Sequence, residues 1–296
     1  MKVSIVMPAY NAEKTIKESV SSVLLQTYID FELIIINDGS NDDTIGVVQK
    51  YCKDPRIIIK SINNGGVANA RNTGIFFATG DLVAFLDSDD IWDPNFLLNT
   101  VKVLKEDKDV DIVYTDYNIF TSNINNNIPG LQNRYKFIRN TFYRIMIYDF
   151  IPMSASVVRR SIFDDGSFFK GRFFGTEDWE FWINKIEKHN VKFIPGRFLY
   201  YREHDLGISK NKRRQTRNVY KVVLNTLAQY RMPNWVKYLI LWEFKRSNIL
   251  SNLAQKKYRI AFYYWLKMIA SNPFFLPSYV FIFHAIYRKR KQRFLK

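Results

Sequence analysis

The chain has 296 residues, of which 44 are Lys or Arg and 28 are Asp or Glu, so its formal net charge is +16. Its hydrophobic fraction of 47% is enough for a large buried core, which excludes an intrinsically disordered protein. The single cysteine, Cys52, excludes a disulfide framework and a cysteine-rich zinc site, and it fits a reducing compartment.

The first 120 residues alternate short apolar runs with helical patterns. We expect buried parallel strands at residues 3–7, 31–36, 56–60, 81–86 and 111–114, and helices at 15–26, 42–53, 67–78 and 95–105. This repeated order predicts an α/β fold with a mostly parallel sheet flanked by helices. Because ligands bind at the carboxyl ends of such strands, the loops that follow them are the expected functional loops.

The second half of the chain changes in composition. Residues 118–132 are rich in Asn and predict a surface loop, and helices and strands return between residues 139 and 202. Residues 1–209 hold 24 basic and 27 acidic side chains, whereas residues 210–296 hold 20 basic side chains and one acidic side chain, Glu243. We therefore predict an α/β domain over 1–209, with halves at 1–117 and 118–209, and a basic, aromatic-rich helical region over 210–296.

The basic region contains one clear apolar stripe and no expected membrane span. The stripe follows helical spacing and should bury one face: Tyr258, Ala261, Phe262, Trp265, Leu266 and Ile269. No apolar run reaches the length of a spanning helix, and the first residues predict a buried strand and turn in place of an export signal.

The loops after the first three strands carry residues that suit a nucleotide. Tyr10 could stack on a base, and Asp38 could accept a hydrogen bond from it. Gly65 and Gly66 precede a helix whose first amides could approach phosphate, with Arg71 one turn further along. Each feature also has a plain structural explanation: a packed tyrosine, an N-capped turn and a glycine turn.

Two clusters of acids stand out. Asp87, Asp89 and Asp90 follow the fourth strand, and their mutual repulsion would be relieved by Mg²⁺ or Mn²⁺ bridging them to a diphosphate; the alternative is a solvated acidic turn. Glu177 and Asp178 begin a later helix among aromatic residues, where a carboxylate can act as a general base or only favour the helix terminus.

Six short motifs occur in the order and spacing of glycosyltransferase family 2, which the chain resembles over residues 1–209. Members of this family are inverting, metal-dependent enzymes with a GT-A fold. The motifs are Met7 to Asn11, Asn37 to Ser40, Gly66 to Gly74, Phe85 to Asp90, Thr176 to Asp178 and Tyr201 to His204.

The resemblance implies a role for each matching residue. Asp178 would be the general base, supported by Glu177 or with Glu177 binding the acceptor, and Asp89 would be the principal ligand of Mn²⁺ or Mg²⁺, with His204 as a second ligand. The implied nucleotide contacts are Pro8, Tyr10, Asn11 and Glu13 around the base and ribose, Asp38 on the base (most often uracil), Arg71 at the diphosphate, and Asp87 with Ser88 at the ribose or sugar.

The family further implies what is transferred and where. No Gln-x-x-Arg-Trp motif of the processive synthases is present, so we expect a single sugar to pass from a nucleotide-diphosphate sugar, such as a UDP-sugar, to a saccharide acceptor. A polyprenyl-diphosphate-linked acceptor of bacterial O-antigen, lipopolysaccharide or capsule synthesis is expected. The basic region at 210–296 would then lie on the anionic inner face of the cell membrane, as in a cytoplasmic, peripheral enzyme.

Two alternatives come from other functional classes. A nucleic-acid-binding protein would use the basic, aromatic region to follow phosphates, but the acids at Asp87, Asp89 and Asp90 would repel a nucleic acid, so none is expected as a partner. An inactive sugar-nucleotide-binding homologue is the other alternative, and the presence of Asp89, Asp178 and His204 argues against it.

Overall fold

The computed structural model describes residues 1–51, 53–130, 138–173, 175–203, 212–254 and 257–271. The chain forms two compact units. The first, which we call the α/β unit, comprises Met1–Ile145 and Asp149–Lys210, and the second, the helical unit, comprises Met146–Tyr148 and Asn211–Lys296.

The five strands and four helices expected in the first 120 residues are all present, and one short strand, β5, is added. β1 and β2 are buried at every residue, which explains why they are continuous apolar runs instead of alternating ones. The elements are β1 (Val3–Ala9), α1 (Ile16–Leu24), β2 (Phe31–Asp38), α2 (Thr44–Gln49), β3 (Ile57–Ile62), α3 (Val67–Phe77), β4 (Leu82–Phe85), β5 (Ile91–Trp92), α4 (Phe96–Glu106) and β6 (Ile112–Phe120).

The rest of the chain before the helical unit adds strands to the same sheet, together with further helices. They are β7 (Ile128–Pro129), α5 (Thr141–Ile147), β8 (Ser156–Arg159), α6 (Glu177–Ile186) and β9 (Val191–Arg202), with short 3-10 turns at Met153–Ala155, Arg160–Phe163 and Gly171–Phe173. The predicted start of the surface loop, residue 118, is too early. β6 continues to Phe120, and β7 pairs with it. The preference of β-branched and aromatic residues for strands outweighs the surrounding asparagines there.

The sheet has the strand order β3-β2-β1-β4-β8-β6-β9-β5, with β7 paired to β6. β1 is parallel to both β2 and β4, so the carboxyl ends of these three strands lie at one edge. β8 lies between β4 and β6 and is antiparallel to both, so β6 runs parallel to β4 without pairing with it. The loops that are expected to bind a nucleotide therefore follow strands of the parallel half of the sheet. The other half contains both parallel and antiparallel strand pairs.

Helices cover both faces of the parallel half. α1 buries Ile16, Val20 and Val23, spaced so that they form one apolar stripe against the main core. α3 lies on the other face, where Ala70 packs against residues of β2. A Cβ atom at Gly74 would be 2.3 Å from a methyl carbon of Val6, so a glycine is what allows α3 to lie this close to β1.

Besides Met146–Tyr148, which include the end of α5, the described residues of the helical unit contain α7 (Lys212–Gln229), α8 (Asn234–Ala254) and α9 (Tyr258–Ser271). Ala261 of α9 is fully buried against Ile249 of α8, with Tyr264 and Trp265 packed beside them. The stripe expected to be buried is therefore only partly buried, because Tyr258, Phe262 and Leu266 are exposed. None of the described helices has the length and apolar character needed to cross a membrane.

Candidate active site

The loops that follow β1 and β2 are joined by reciprocal hydrogen bonds. Asn11 has a positive φ of 50°, which Asn tolerates better than most residues, and its side-chain oxygen accepts the Asn41 amide at 2.8 Å. The Glu13 carboxylate accepts the Asp43 amide at 3.1 Å, and the Glu13 amide donates to Asp42 at 3.1 Å. Asn11 and Glu13 thus build the rim of the site, beside the half-exposed ring of Tyr10 and the buried Pro8.

Asp38 holds the glycine loop that precedes α3. Its two carboxylate oxygens accept the Gly65 and Gly66 amides, each at 2.8 Å. Gly66 has a φ of 83°, a left-handed conformation that favours glycine. The amides of both glycines are therefore directed to Asp38, and Asp38 itself is almost fully buried.

Arg71 connects residues that are far apart in the sequence. One guanidinium nitrogen donates to Asp178, 107 residues away, and the other donates to Asp87 at 2.8 Å. The side chain is buried, with its guanidinium carbon 5.5 Å from the centre of the Phe169 ring. Burial opposes the charge of Arg71, but Asp178, Asp87 and Glu177 outweigh that effect and raise its pKa above the ordinary value. The cation is therefore permanent and holds two carboxylates together.

Asp178 has the electrostatic setting of a general base. Burial raises its pKa most, the charges of Glu177 and Asp87 raise it further, and Arg71 lowers it, with the result that the pKa is about 7. The side chain keeps 31% of its accessible surface, so it is only partly covered by the protein. A carboxylate whose pKa lies near neutrality can accept a proton from a hydroxyl and lose it again at the same pH.

Glu177 is turned back toward the beginning of its own helix. One oxygen accepts the Thr176 amide at 2.9 Å and also the Gly175 amide. This satisfies backbone donors before the first turn of α6, and a negative charge there is favourable for the helix dipole. In the structure Glu177 fixes the turn that presents Asp178.

The acidic turn after β4 is fastened to the end of β9. The Asp90 carboxylate accepts the Arg202 amide at 3.0 Å, and the Arg202 side chain donates to the Asp89 carbonyl at 2.8 Å. Ser88 takes part through its carbonyl, which accepts the Thr15 hydroxyl at 2.9 Å. Burial, Asp89 and Asp87 raise the pKa of Asp90 well above its usual range, which shows how crowded the negative charges are.

Comparison with known proteins places the chain in a family. The family model described as glycosyl transferase family 2 matches residues 4–167, more than half of the chain. The chain belongs to glycosyl transferase family 2. The Escherichia coli protein WfgD, a UDP-Glc:alpha-D-GlcNAc-diphosphoundecaprenol beta-1,3-glucosyltransferase, is 34% identical over 245 residues, which cover 79% of this chain and 92% of WfgD.

Two solved structures share the fold of this glycosyltransferase and confirm the expected GT-A architecture. Staphylococcus aureus TarS 1–349, in complex with UDP-GlcNAc, has a TM-score of 0.65 at 21% identity and covers 82% of this chain and 71% of its own. The mannosyltransferase PcManGT from Pyrobaculum calidifontis, in complex with GDP-Man and Mn²⁺, has a TM-score of 0.66 at 18% identity and covers 96% and 79%. At these identities the likeness concerns the fold alone.

The acidic turn of the glycosyltransferase fits a hard divalent cation in one respect. Asp90 has a buried oxygen with no hydrogen-bond partner among the described residues, in a turn whose three carboxylates repel one another. Within the described part of the chain, no three His, Cys, Asp or Glu side chains are grouped to hold a metal. Because Mg²⁺ is usually held by one or two carboxylates and the substrate phosphates, Asp89 suits such a site; His204 lies outside the described residues.

Three functional neighbours escaped the sequence analysis. Ser154 accepts the Asp87 amide at 3.1 Å, and its carbonyl accepts the Trp92 side chain at 2.6 Å, so it supports the acidic turn from the β8 side. Arg202 was noted only as part of a motif. Asp149, whose Oδ1 atom is buried, lies two residues after α5, and burial and then the charge of Asp178 raise its pKa. No local pattern marks these positions, because their partners come from distant segments.

Proposed function

We propose that this glycosyltransferase moves one sugar from a nucleotide-diphosphate sugar, a UDP-sugar first of all, to a hydroxyl of a saccharide acceptor with inversion at the anomeric carbon. The observation that carries the proposal is the ion pair of Arg71 with both Asp178 and Asp87. It joins Asp178, whose pKa lies near neutrality, to Asp87, a carboxylate of the acidic turn.

In the proposed reaction, Asp178 accepts the proton of the acceptor hydroxyl while that oxygen attacks the anomeric carbon. The bond between this carbon and the diphosphate oxygen breaks, and the nucleoside diphosphate leaves from the opposite face. Arg71 donates to Oδ1 of Asp178, so we assign the proton to Oδ2. A divalent ion, Mn²⁺ or Mg²⁺, held by Asp89 and by His204, would supply positive charge for the leaving diphosphate.

The donor contacts proposed are those of the parallel edge. Tyr10 is exposed at the end of β1 and is assigned to stack on the nucleobase, with Pro8, Asn11 and Glu13 around it. Asp38 is assigned an indirect role, because its oxygens already accept the Gly65 and Gly66 amides. Asp87 and Ser88 are assigned the ribose or sugar. Arg71, which neutralises the charge of Asp87, is assigned the diphosphate. Glu177 is assigned to support the base.

The relatives support the choice of substrates. WfgD is named for transfer of glucose from UDP-glucose to a diphosphoundecaprenol-linked GlcNAc, and TarS was solved with UDP-GlcNAc. We infer a polyprenyl-diphosphate-linked saccharide as acceptor, within synthesis of a bacterial cell-surface polysaccharide such as O-antigen or capsule.

A panel of UDP- and GDP-sugars with Mn²⁺ tests the proposal, with release of nucleoside diphosphate as the readout. Asp178→Asn and Asp89→Asn should each lose about a hundredfold or more of the activity. The matched control is Asp164→Asn, which changes an exposed carboxylate directly after the 3-10 turn Arg160–Phe163 of the same unit. Undiminished release from both site variants would reject the assignment, and the anomeric configuration of the product decides inversion.

We further propose that residues 210–296 bind the inner, anionic surface of the cell membrane, as expected of a cytoplasmic, peripheral enzyme. The net charge of this region is strongly positive, and α9 presents apolar side chains beside exposed Arg259 and Lys267. The exposed apolar side chains of α9 are Tyr258, Ile260, Phe262, Tyr263 and Leu266.

Flotation of the full chain with phosphatidylglycerol vesicles, compared with phosphatidylcholine vesicles, tests membrane binding. Leu266→Ser should weaken binding to the anionic vesicles. Leu98→Ser, which removes an equally exposed leucine from α4, should not; the two side chains are 47% and 46% exposed. Equal flotation of both variants would reject a role for α9, and salt-sensitive retention on RNA without sugar transfer would favour the nucleic-acid alternative.

A further inference from the structure

Asn72 follows Arg71 in α3, and its side-chain amide is bound to a distant segment of the chain. The Asn72 Nδ2 atom donates to the Phe169 carbonyl at 2.9 Å, and its Oδ1 atom accepts the Phe169 amide at 3.0 Å. Phe169 lies 97 residues further along, in an irregular segment before α6. A side-chain amide can bind both backbone groups of one residue because it carries a donor and an acceptor. We call these two hydrogen bonds the Asn72–Phe169 clasp.

The ring of Phe169 contacts both helices of the candidate site. It stacks on the Phe181 ring of α6, with 4.1 Å between the ring centres and 14° between the ring planes. The Arg71 guanidinium carbon of α3 lies 5.5 Å from its centre, and the Phe85 ring of β4 meets it edge-on at 5.5 Å. Phe169 is only 4% exposed. Because protein interiors are close-packed, a ring held in this way cannot shift without its neighbours.

The residues just before Phe169 are also bound to α6. Lys185 of α6 is buried, and its ammonium group donates to the Ser167 hydroxyl at 2.6 Å and to the Asp165 carboxylate at 3.0 Å. The Phe163 ring stacks on the Phe181 ring with 6.0 Å between their centres. This segment is therefore attached to α6, and the clasp attaches it to α3.

Two links thus join α3 to α6. In the first, Arg71 donates to Asp178. In the second, Asn72 holds Phe169, and Phe169 stacks on Phe181. Phe181 comes three residues after Asp178 and therefore lies on the same side of α6. Because the two links begin at adjacent residues of α3 and end within one turn of α6, the second link constrains the separation at which the first is made.

We propose that Asn72 and Phe169 are positioning residues whose clasp fixes the placement of Asp178 against Arg71, and with it the aim of the base at the acceptor hydroxyl. The inference rests on the proposed function of Asp178. A misplacement of about 1 Å in a reacting group can cost about a hundredfold in rate. Asn72→Ala should therefore lower kcat about tenfold to a hundredfold. The KM for the donor should change less, because the residues assigned to the nucleobase keep their contacts.

Steady-state release of nucleoside diphosphate by the full chain tests the clasp in Asn72→Ala, in Phe169→Leu and in the double variant. Phe169→Leu keeps the backbone groups that Asn72 binds but removes the stacked ring, so it should also lower kcat. The double variant should lose less than the product of the two single losses, because both changes break the same link. Asn190→Ala is the matched control: its side-chain amide donates to the Asp109 carbonyl at 2.9 Å, 81 residues away, and its loss should leave kcat unchanged.

The pH profile of kcat/KM is a readout that a loss of stability alone would not move. The clasp variants keep all the charged groups that act on Asp178, which are Arg71, Glu177, Asp87 and Asp149. A looser contact with the guanidinium should still move the acidic limb upward, by up to about one pH unit, since the cation is displaced and not removed. Asn190→Ala should leave the limb in place.

Hydrogen–deuterium exchange adds a measurement that does not depend on turnover: amides at the beginning of α6 should exchange faster in Asn72→Ala than in Asn190→Ala. Unchanged kcat and an unchanged acidic limb in the clasp variants would overturn the proposal, and so would multiplicative losses in the double variant. If Asn72→Ala does not fold, kcat and the limb of Phe169→Leu decide. Turnover that survives Asp178→Asn rejects the base alone; the clasp is then rejected only if exchange at α6 is the same in both asparagine variants.

Discussion

Replacement of Arg71 by Met removes the cation that lies between Asp178 and Asp87. The pKa of Asp178 is about 7 with Arg71 present, so about half of this carboxyl, the proposed base, is ionised at pH 7. An adjacent cation lowers the pKa of a carboxyl by about 1–3 units, so its loss should raise the pKa of Asp178 by that amount. The ionised fraction at pH 7 should then fall about fivefold to five-hundredfold.

The assay is nucleoside diphosphate release, measured as kcat/KM between about pH 6 and pH 10, because kcat/KM reports the ionisation of the free enzyme. Arg71→Met should move the acidic limb of the profile upward and should regain part of its activity at high pH. The acidic limb of Arg71→Lys should lie between those of the unmodified protein and Arg71→Met. Lys keeps the charge but lacks the two-pronged geometry that reaches both carboxylates.

Arg172→Met is the matched control. Arg172 also pairs with a carboxylate of α6, Glu180, but it does not contact Asp178. Its removal should leave the acidic limb in place. If Arg71→Met lowers activity equally at every pH while its melting temperature is unchanged, Arg71 does not act on the ionisation of Asp178, and the electrostatic reasoning is refuted.

Three further outcomes follow from the packing and hydrogen bonds of the α/β unit. Asp38→Ala leaves the Gly65 and Gly66 amides without their acceptor, so urea denaturation should show a loss of about 1–3 kcal/mol, together with weaker donor binding. Gly74→Ala should cost about 1–3 kcal/mol by the same measurement, because its Cβ would overlap Val6, whereas Gly171→Ala, whose Cβ would lie 3.6 Å from Ala68, should cost far less. Ser154→Ala removes the acceptor of the Asp87 amide and should lower kcat more than stability, as seen by comparing turnover with the melting temperature.

The parallel half of the fold could be predicted because its inner strands, β1, β2 and β4, are buried on both faces. The run from Phe31 to Ile36 is apolar at nearly every position, and only a central strand between two helical layers explains such a run. The mixed half could not be predicted in the same way. β8 has four residues, and its place between β4 and β6 depends on pairings with segments that are distant in the sequence.

The same distinction between local sequence patterns and contacts of distant segments applies to the candidate site. Asp87, Asp89 and Asp178 stand at strand and helix ends, where local sequence indicates a functional turn. The link that Arg71 makes between Asp87 and Asp178 could not be predicted, because one contact spans 107 residues. The exposed face of α9 was missed for a related reason: α8 selects Ala261 as the point of contact, and the helical spacing alone does not say which side of a broad apolar stripe is covered.

Asp149 and Asp178 show how the same side chain in one unit is affected differently by its surroundings. Burial raises the pKa of both, so burial alone would leave both protonated and provide no base. The cation distinguishes them: Arg71 reaches Asp178 and stabilises its charge, and that charge in turn disfavours ionisation of Asp149. A base that works near neutrality therefore needs the buried surroundings and the guanidinium together, and this requirement explains why a permanently charged arginine lies inside the α/β unit between two carboxylates.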